Sequence, residues 1–362
     1  MFTVVASISL LGCLLAVLPA WRHPHWLVRD AEFARLQISL LLLVCLVLQL
    51  PWVCEGHAVA LLTAPVTLLG AGWGLWHLRR YLPIWPYEVR KAPGEDADAR
   101  LRLLTANVQM ENRETSTFLA LVERYAPDIV ITLESDQWWE DRLAALEGRY
   151  RHNVKVPLDN RYGMHLYSRL PLEDPQVTFL VERDVPSIHT RVTLRNGQKV
   201  QLHILHPAPP SPTENTEASE RDAEIIVMGR RLSPEEGPTI VAGDFNDIPW
   251  SRTARLFRDI SGLLDPRVGR GMFNTFHAEY RFVRWPLDHL FHSAHFRVSR
   301  IARLEPFGSD HFPLYTELEY VPGSVQEQAP PEPGERDIEE AQNLKERASP
   351  NQSTAHRPSV EN

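Results

Sequence analysis

Three apolar runs fill most of the first eighty residues, at 2–20, 33–52 and 58–76, and no other feature of the chain restricts its fold as much. Each is close to the ~20 residues that cross a bilayer as a helix. In hydrocarbon every backbone N–H and C=O must find its partner inside the segment, so runs of this length read as transmembrane helices. The second run contains ISLLLLVCLVLQL, without a single charge. The first lacks the basic n-region of a secretory signal and therefore reads as a span. Pro65, Gly70, Gly72 and Gly74 would weaken the third as a soluble helix but are tolerated in lipid. Trp21, Trp26, Trp52, Trp73, Trp76, Tyr81 and Trp85 gather near the run ends, where amphipathic rings favour the membrane interface.

Charge orients these spans. Arg22 and Arg29 lie between the first and second, with Arg35 at the entry of the second; Glu55 is the only charge between the second and third; Arg79, Arg80, Arg90 and Lys91 follow the third. Basic residues near span ends are retained on the cytoplasmic side. The expected arrangement is an integral protein of an inner or plasma membrane, its N-terminus outside and the body after the third span in the cytoplasm.

Composition divides the 362 residues into an anchor (1–80), a linker (81–99) with three prolines and no apolar period, a body (100–320), and a tail (321–362). The tail is rich in Pro, Glu, Gln, Ser and Asn, too poor in apolar surface to offset its ordering entropy, and is expected to be disordered. Within it, Glu and Lys or Arg spacing allows a short helix over 335–347. The three cysteines, Cys13, Cys45 and Cys54, lie in or beside the apolar runs, which excludes a disulfide framework in the body. Residues 100–320 carry 27 basic and 31 acidic side chains, a balance of −4, which is not the basic footprint of a dedicated nucleic-acid binder.

The body alternates strands and helices. RLRLLTANV and DIVITLES read as strands with a helix between them over ENRETSTFLALVERYA; MHLYS, HTRVTL, KVQLHILH and TIVAGDF follow as strands, with a helix over 213–232 before the last. Neighbouring strands without intervening helices imply antiparallel pairs. The order therefore fits an α/β fold of two packed mixed sheets flanked by helices.

Polar residues recur where these strands end: Asn107, Glu134, His206 and Asp244, then Asp288 after VRWPL and Asp310–His311 after EPFGS. A rigid sheet aims residues placed at such ends. The set is carboxylate, amide and imidazole, with no activated Ser or Cys beside a base. Oxygen donors select a hard cation, Mg²⁺ or Mn²⁺. A hard cation, a carboxylate able to orient water and donors for anionic oxygens together describe hydrolysis of a phosphate ester. In TIVAGDFNDIP the same Asp, Asn and Gly are also ordinary turn chemistry. Here Asp244 would activate water and Asn246 would hold phosphate, whereas Asp247 reads as a turn or capping residue.

TANVQ, PDIVITLES, YGMHLYSRLPL, LHILHPAPP, VAGDFND, PLDHLFHS and GSDHFPL, in that order, resemble the motifs of the endonuclease/exonuclease/phosphatase superfamily across the whole body. The resemblance implies a four-layer α/β sandwich and divalent-metal phosphoester hydrolysis. By position it implies Glu134 as the principal metal ligand, with Asn107 and Asp310. It also implies Asp244 on the attacking water, Asn246 on the phosphate, His311 donating to a phosphate oxygen with its tautomer set by Asp288, and His206 aiding the leaving oxygen or the phosphate. His206, directly before Pro207, also has a purely structural alternative. Arg267, Arg270, Arg281 and Arg284 read as a solvated loop or as one mouth of the cleft. The expected partners are a phosphate-ester substrate (nucleic acid or lipid headgroup) and the lipid bilayer. The leading expectation is a membrane-anchored, metal-dependent phosphodiesterase or nuclease; a lipid or inositol-phosphate phosphatase or phosphodiesterase and a non-catalytic membrane scaffold are the competing readings, and the completeness of the polar set stands against the scaffold.

Overall fold

The computed structural model describes residues 1–348 except 22, 24, 210–217 and 233–236. The chain falls into two units, divided between Trp85 and Pro86.

The first unit is helical. α1 (Phe2–Val17), α3 (Arg35–Cys54) and α4 (Ala58–Leu78) are the three expected long helices, and a short α2 (Trp26–Phe33) between the first two was not expected. By length and hydropathy, Phe2–Ala20, Arg35–Cys54 and Ala58–Tyr81 are each able to span a membrane. Small residues let them pack closely: a Cβ on Gly12 would come within 2.9 Å of Leu42, and one on Gly70 within 2.7 Å of Cys13. Gln49 of α3 ties the three together. Its Nε2 donates to Ser9 Oγ of α1 (2.9 Å) and Thr67 Oγ1 of α4 (3.2 Å), and its Oε1 accepts from Thr63 Oγ1 of α4 (2.6 Å).

The second unit is built on two mixed sheets. One contains β1 (Arg100–Asn107), β2 (Ile129–Leu133), β3 (His152–Val156), β4 (Met164–Ser168), β10 (Phe296–Arg303) and β11 (Leu314–Tyr320), in the order β10-β11-β1-β2-β4-β3. The other runs β5-β6-β7-β8-β9, from β5 (Leu172–Phe179), β6 (Pro186–Thr193), β7 (Lys199–Leu205), β8 (Thr239–Asp244) and β9 (Asp288–His292). Only β1–β2 and β7–β8 pair in parallel. Leu103, Ile131, Leu166, Ile204, Ile240 and Ala242 fill the space between the sheets. α5 (Thr115–Tyr125) and α6 (Gln137–Leu143) cover the first sheet through Phe118, Trp139 and Val122; α7 (Ser219–Arg231) and α8 (Arg252–Ser261) cover the second through Ile225, Phe257 and Phe291. The result is the four-layer α/β sandwich. The part of the expected helix before α7, residues 213–217, lies outside the described residues.

Two expectations are corrected. The segment 81–99 is not wholly a linker: Val89 is fully buried, and Ala92 N donates to Val298 O (2.9 Å), so residues 89–92 supply partners to edge strand β10. The tail is ordered through Ala348. Gln328 Nε2 donates to the carbonyls of Ala294 (2.8 Å) and Phe296 (2.9 Å), and α9 (Glu335–Ala348) packs Ala341 and Leu344 onto the layer of α7 and α8. Average composition hid a stripe of only two apolar residues at i, i+3, which suffices once another surface covers it.

Candidate functional site

Strand ends supply the site, and local backbone geometry sets each side chain. In β8, Gly243 has φ +145°, and a Cβ there would meet Leu205 O at 1.9 Å; only glycine lets β7 approach so closely before Asp244. Glu134, immediately after β2, and Asn246, in the turn after β8, both adopt left-handed backbone, at φ +59° and +49°. Non-glycine residues in that region cluster at functional sites because surrounding contacts must hold them there.

Asn107 joins two of the carboxylates. Its Nδ2 donates to Glu134 Oε1 (2.9 Å) and to Asp244 Oδ2 (3.1 Å), while its Oδ1 accepts from the backbone N–H of Gln109 (3.0 Å). The amide oxygen expected to ligate metal is thus engaged by backbone, and Asn107 here orients the two acids. The other oxygen of Glu134 accepts from Met110 N (3.3 Å). Burial raises the Glu134 pKa, outweighing His206, Asn107 and His311, which lower it.

His311 sits between two acids. Its Nδ1 is 2.8 Å from Asp288 Oδ2 and its Nε2 is 3.6 Å from Asp244 Oδ2. Burial would lower its pKa, but Asp288 and Asp244 outweigh burial and raise it to about 10, so His311 is an imidazolium. Asp244 responds in the opposite sense: burial would raise it, and His311 and His206 hold it below the ordinary carboxylate value. His206 Nε2 lies 4.0 Å from Asp244 Oδ2, and its buried Nδ1 has no partner among the described residues. Asn246 N donates to Asp244 Oδ1 (2.9 Å) and Asn246 Nδ2 to Pro207 O (3.0 Å). Asp310 is half-buried; its N–H donates to Gln109 Oε1 (3.2 Å), and its charge acts on both Glu134 and His311. All eight expected residues therefore belong to one cluster.

Beneath it lies a layer that sequence reasoning missed. Arg267, read as solvated or cleft-lining, is 1% exposed and grips Asp265 through Nε and NH2 (2.9 Å each), donating also to Asp288 O (3.3 Å) and His289 Nδ1 (2.8 Å). Arg221 donates to Asn246 O (2.7 Å) and lies 3.7 Å from Asp247. Asp247 also accepts from Ser251 Oγ at the start of α8, so its carboxylate is engaged by Arg221 and Ser251. The only signal for this layer was position: Arg267 and His289 sit near or beside Asp288 in the sequence.

The donors fit a hard divalent cation. Glu134 is half-buried and accepts from the N–H groups of Asn107 and Met110, with Asp310 nearby and one oxygen of Asp288 without a partner among the described residues. Asp244, Asp288 and His311 also present ligand atoms within 4.8 Å of one another, a second group able to hold a cation.

Comparisons agree with this architecture. Two structures of D. rerio TDP2, one humanized by 14 mutations and one complexed with a single-strand DNA product, match at TM-score 0.52 with 18% and 17% identity, over 61% and 62% of this chain and 99% and 100% of theirs. The human Nocturnin catalytic domain with bound sulfate matches at TM-score 0.51 and 18% identity, over 62% of this chain and 96% of that one. At these identities the likeness concerns the fold. No curated protein matches the chain. The model of the Endonuclease/Exonuclease/phosphatase family matches residues 104–311, more than half the sequence and every strand end that carries the cluster, and the chain belongs to that family.

Proposed function

We propose that the chain is a divalent-metal-dependent phosphodiesterase, its body held at a membrane by the three N-terminal helices and lying on the cytoplasmic side. The observation that carries this reading is the Asn107 bridge between Glu134 and Asp244, with His311 held between Asp244 and Asp288. One bridge joins a carboxylate bonded to amide N–H groups and a carboxylate beside the His311 ring, so neighbouring acids take different tasks.

Glu134 and Asp310 would hold Mg²⁺ or Mn²⁺, with Asn107 fixing the Glu134 carboxylate. When bound, the ion supplies Lewis-acid charge to a phosphate oxygen. Asp244, ionised and oriented by Asn107 and the Asn246 N–H, aligns the attacking water and takes its proton. His311, its Nδ1 locked by Asp288, presents Nε2–H to the phosphate as charge develops. His206 stands on the other side of Asp244 to serve the leaving oxygen, and Asn246 borders the phosphate.

The test is turnover by the purified full-length protein, with Mg²⁺ or Mn²⁺, on bis(p-nitrophenyl) phosphate, single- and double-stranded DNA, RNA, phospholipids and inositol phosphates. Metal-dependent cleavage of a diester that Glu134→Gln removes is expected. Tight metal binding with no turnover across the panel would overturn the reading in favour of the scaffold.

A further inference from the structure

Residues 276–285 form a hairpin at the edge of the catalytic cluster. Its base is a bridge between Phe276 and Trp285, and Phe276 bridges His311 as well, with ring centroids 4.9 Å apart. Ala278 N donates to Asp310 O (2.6 Å). The hairpin is thereby fixed to both a proposed metal ligand and the proposed phosphate donor. Arg284 closes it from within: Nε donates to the carbonyls of His277 (3.2 Å) and Tyr280 (3.1 Å), NH2 to that of Ala278 (3.0 Å), and its guanidinium lies over Phe312.

This frame presents apolar surface outward. Tyr280 is 58% exposed, Phe282 89% and Val283 43%, with exposed Arg281 among them. Contiguous exposed apolar side chains on an ordered frame mark an interaction surface. Their chemistry selects the partner. Aromatic rings, an aliphatic side chain and one guanidinium suit the bilayer interface, where rings sit at headgroup depth and arginine reaches phosphates. A body charge of −4 opposes a polyanion such as DNA. The same chain carries three helices able to span a bilayer, which keep its body near one.

We propose that the 276–285 hairpin docks the catalytic body onto a lipid surface, and that the substrate is accordingly a phosphodiester in a phospholipid headgroup. The substrate clause rests on the phosphodiesterase reading; the docking clause does not.

An environment-sensitive fluorophore at Phe282→Cys, in a full-length chain with Cys13, Cys45 and Cys54 replaced by Ala, tests the docking in phosphatidylcholine–phosphatidylglycerol nanodiscs. Asn196→Cys, exposed in the β6–β7 turn, is the control. A face inserted roughly 5–10 Å predicts blue-shifted emission and quenching by shallow spin-labelled lipid at least about twofold stronger at 282 than at 196. Equal quenching at the two sites overturns docking, as does shielding of the 282 label by single-stranded DNA and not by lipid. For the substrate, Tyr280→Ser/Phe282→Ser should raise KM for nanodisc phospholipid about tenfold, a loss of about 1.4 kcal/mol of binding, with bis(p-nitrophenyl) phosphate turnover unchanged. Lipid quenching without phospholipid cleavage supports docking and overturns the substrate clause. Phospholipid cleavage with equal quenching overturns docking and leaves the phosphodiesterase reading intact.

Discussion

The guanidinium of Arg267 donates to Nδ1 of His289 at 2.8 Å, and that one contact fixes the imidazole. A guanidinium only donates, so Nδ1 accepts and the proton sits on Nε2, which donates to Asp247 O at 2.8 Å. Arg267 also holds Asp288 O, so a buried residue outside the cluster links the turn after β8 to the start of β9. Arg267→Met should destabilise the body by about 3–5 kcal/mol, because it leaves the Asp265 carboxylate buried without its cation. Arg267→Lys should recover little, since an ammonium lacks the planar fork that serves Asp265, Asp288 and His289 together. Denaturant unfolding of the three proteins checks this, and full stability in the Lys protein would deny the fork its role.

Asp244 and Asp247, three residues apart, separate chemistry from architecture. Asp244→Asn should lower kcat by ~10²–10⁴-fold with little change in KM, the signature of a group acting in the transition state. Asp247→Asn should instead weaken the fold by about 1–3 kcal/mol through its buried partners Arg221 and Ser251, with kcat falling far less. Comparable kcat losses in the two variants would mean that the wrong carboxylate has been placed on the water.

Metal removal bears on Glu134. Glu134→Gln should retain the melting temperature and lose at least about tenfold in Mn²⁺ affinity, because a neutral amide replaces the principal anionic donor. Calorimetric titration of the full chain measures this without any substrate. Wild-type affinity in the variant would move the cation toward Asp288.

Acid should unfold the body earlier than its carboxylates alone would require. Burial lowers the pKa of His165, His189 and His292 from 6.5 to about 4, and of His203 and His289 to about 3. Between those values and 6.5 the unfolded chain binds protons that the folded chain refuses. The contribution of these five histidines is thus complete above pH 6.5 and falls as pH drops through that window, by about 1.4 kcal/mol per pH unit for each. Denaturation midpoints from pH 7 to 5 should decline steeply, and a flat profile would contradict neutral burial.

In the helical unit, Gln49→Leu should cost only about 0.6–2 kcal/mol. Ser9 and Thr67 already donate to carbonyls of their own helices, Val5 O and Thr63 O, so their hydroxyls keep acceptors when the glutamine is lost. Unfolding in detergent measures the difference; a loss well above that range would mean the hydroxyls depend on Gln49.

The sequence by itself determined the elements with strong local signals. Uncharged runs of bilayer length can only be helices in lipid, the alternation that opens RLRLLTANV needs one face buried, and the short apolar run in TIVAGDF fits a strand buried on both faces. The eight polar residues were legible because Asn107, Glu134, His206 and Asp244 sit where strands end, Asn246 follows in the turn, and Asp288, Asp310 and His311 follow short loop motifs. β3, β5, β9, β10 and β11 were not read as strands: β5 contains Pro175 and a register shift between Glu173 and Gln176, and all of these but β11 lie at sheet edges, where a strand need not alternate. Charge spacing allowed the helix that becomes α9, but its few apolar residues did not disclose the α7–α8 surface it covers. Only the tertiary structure decided that Arg267 is buried, that Asn107 turns its nitrogen toward both acids, and that Phe276 seats the 276–285 hairpin against His311. Each of these depends on partners between about 20 and 140 residues away in sequence, whose desolvation and geometry no local pattern encodes.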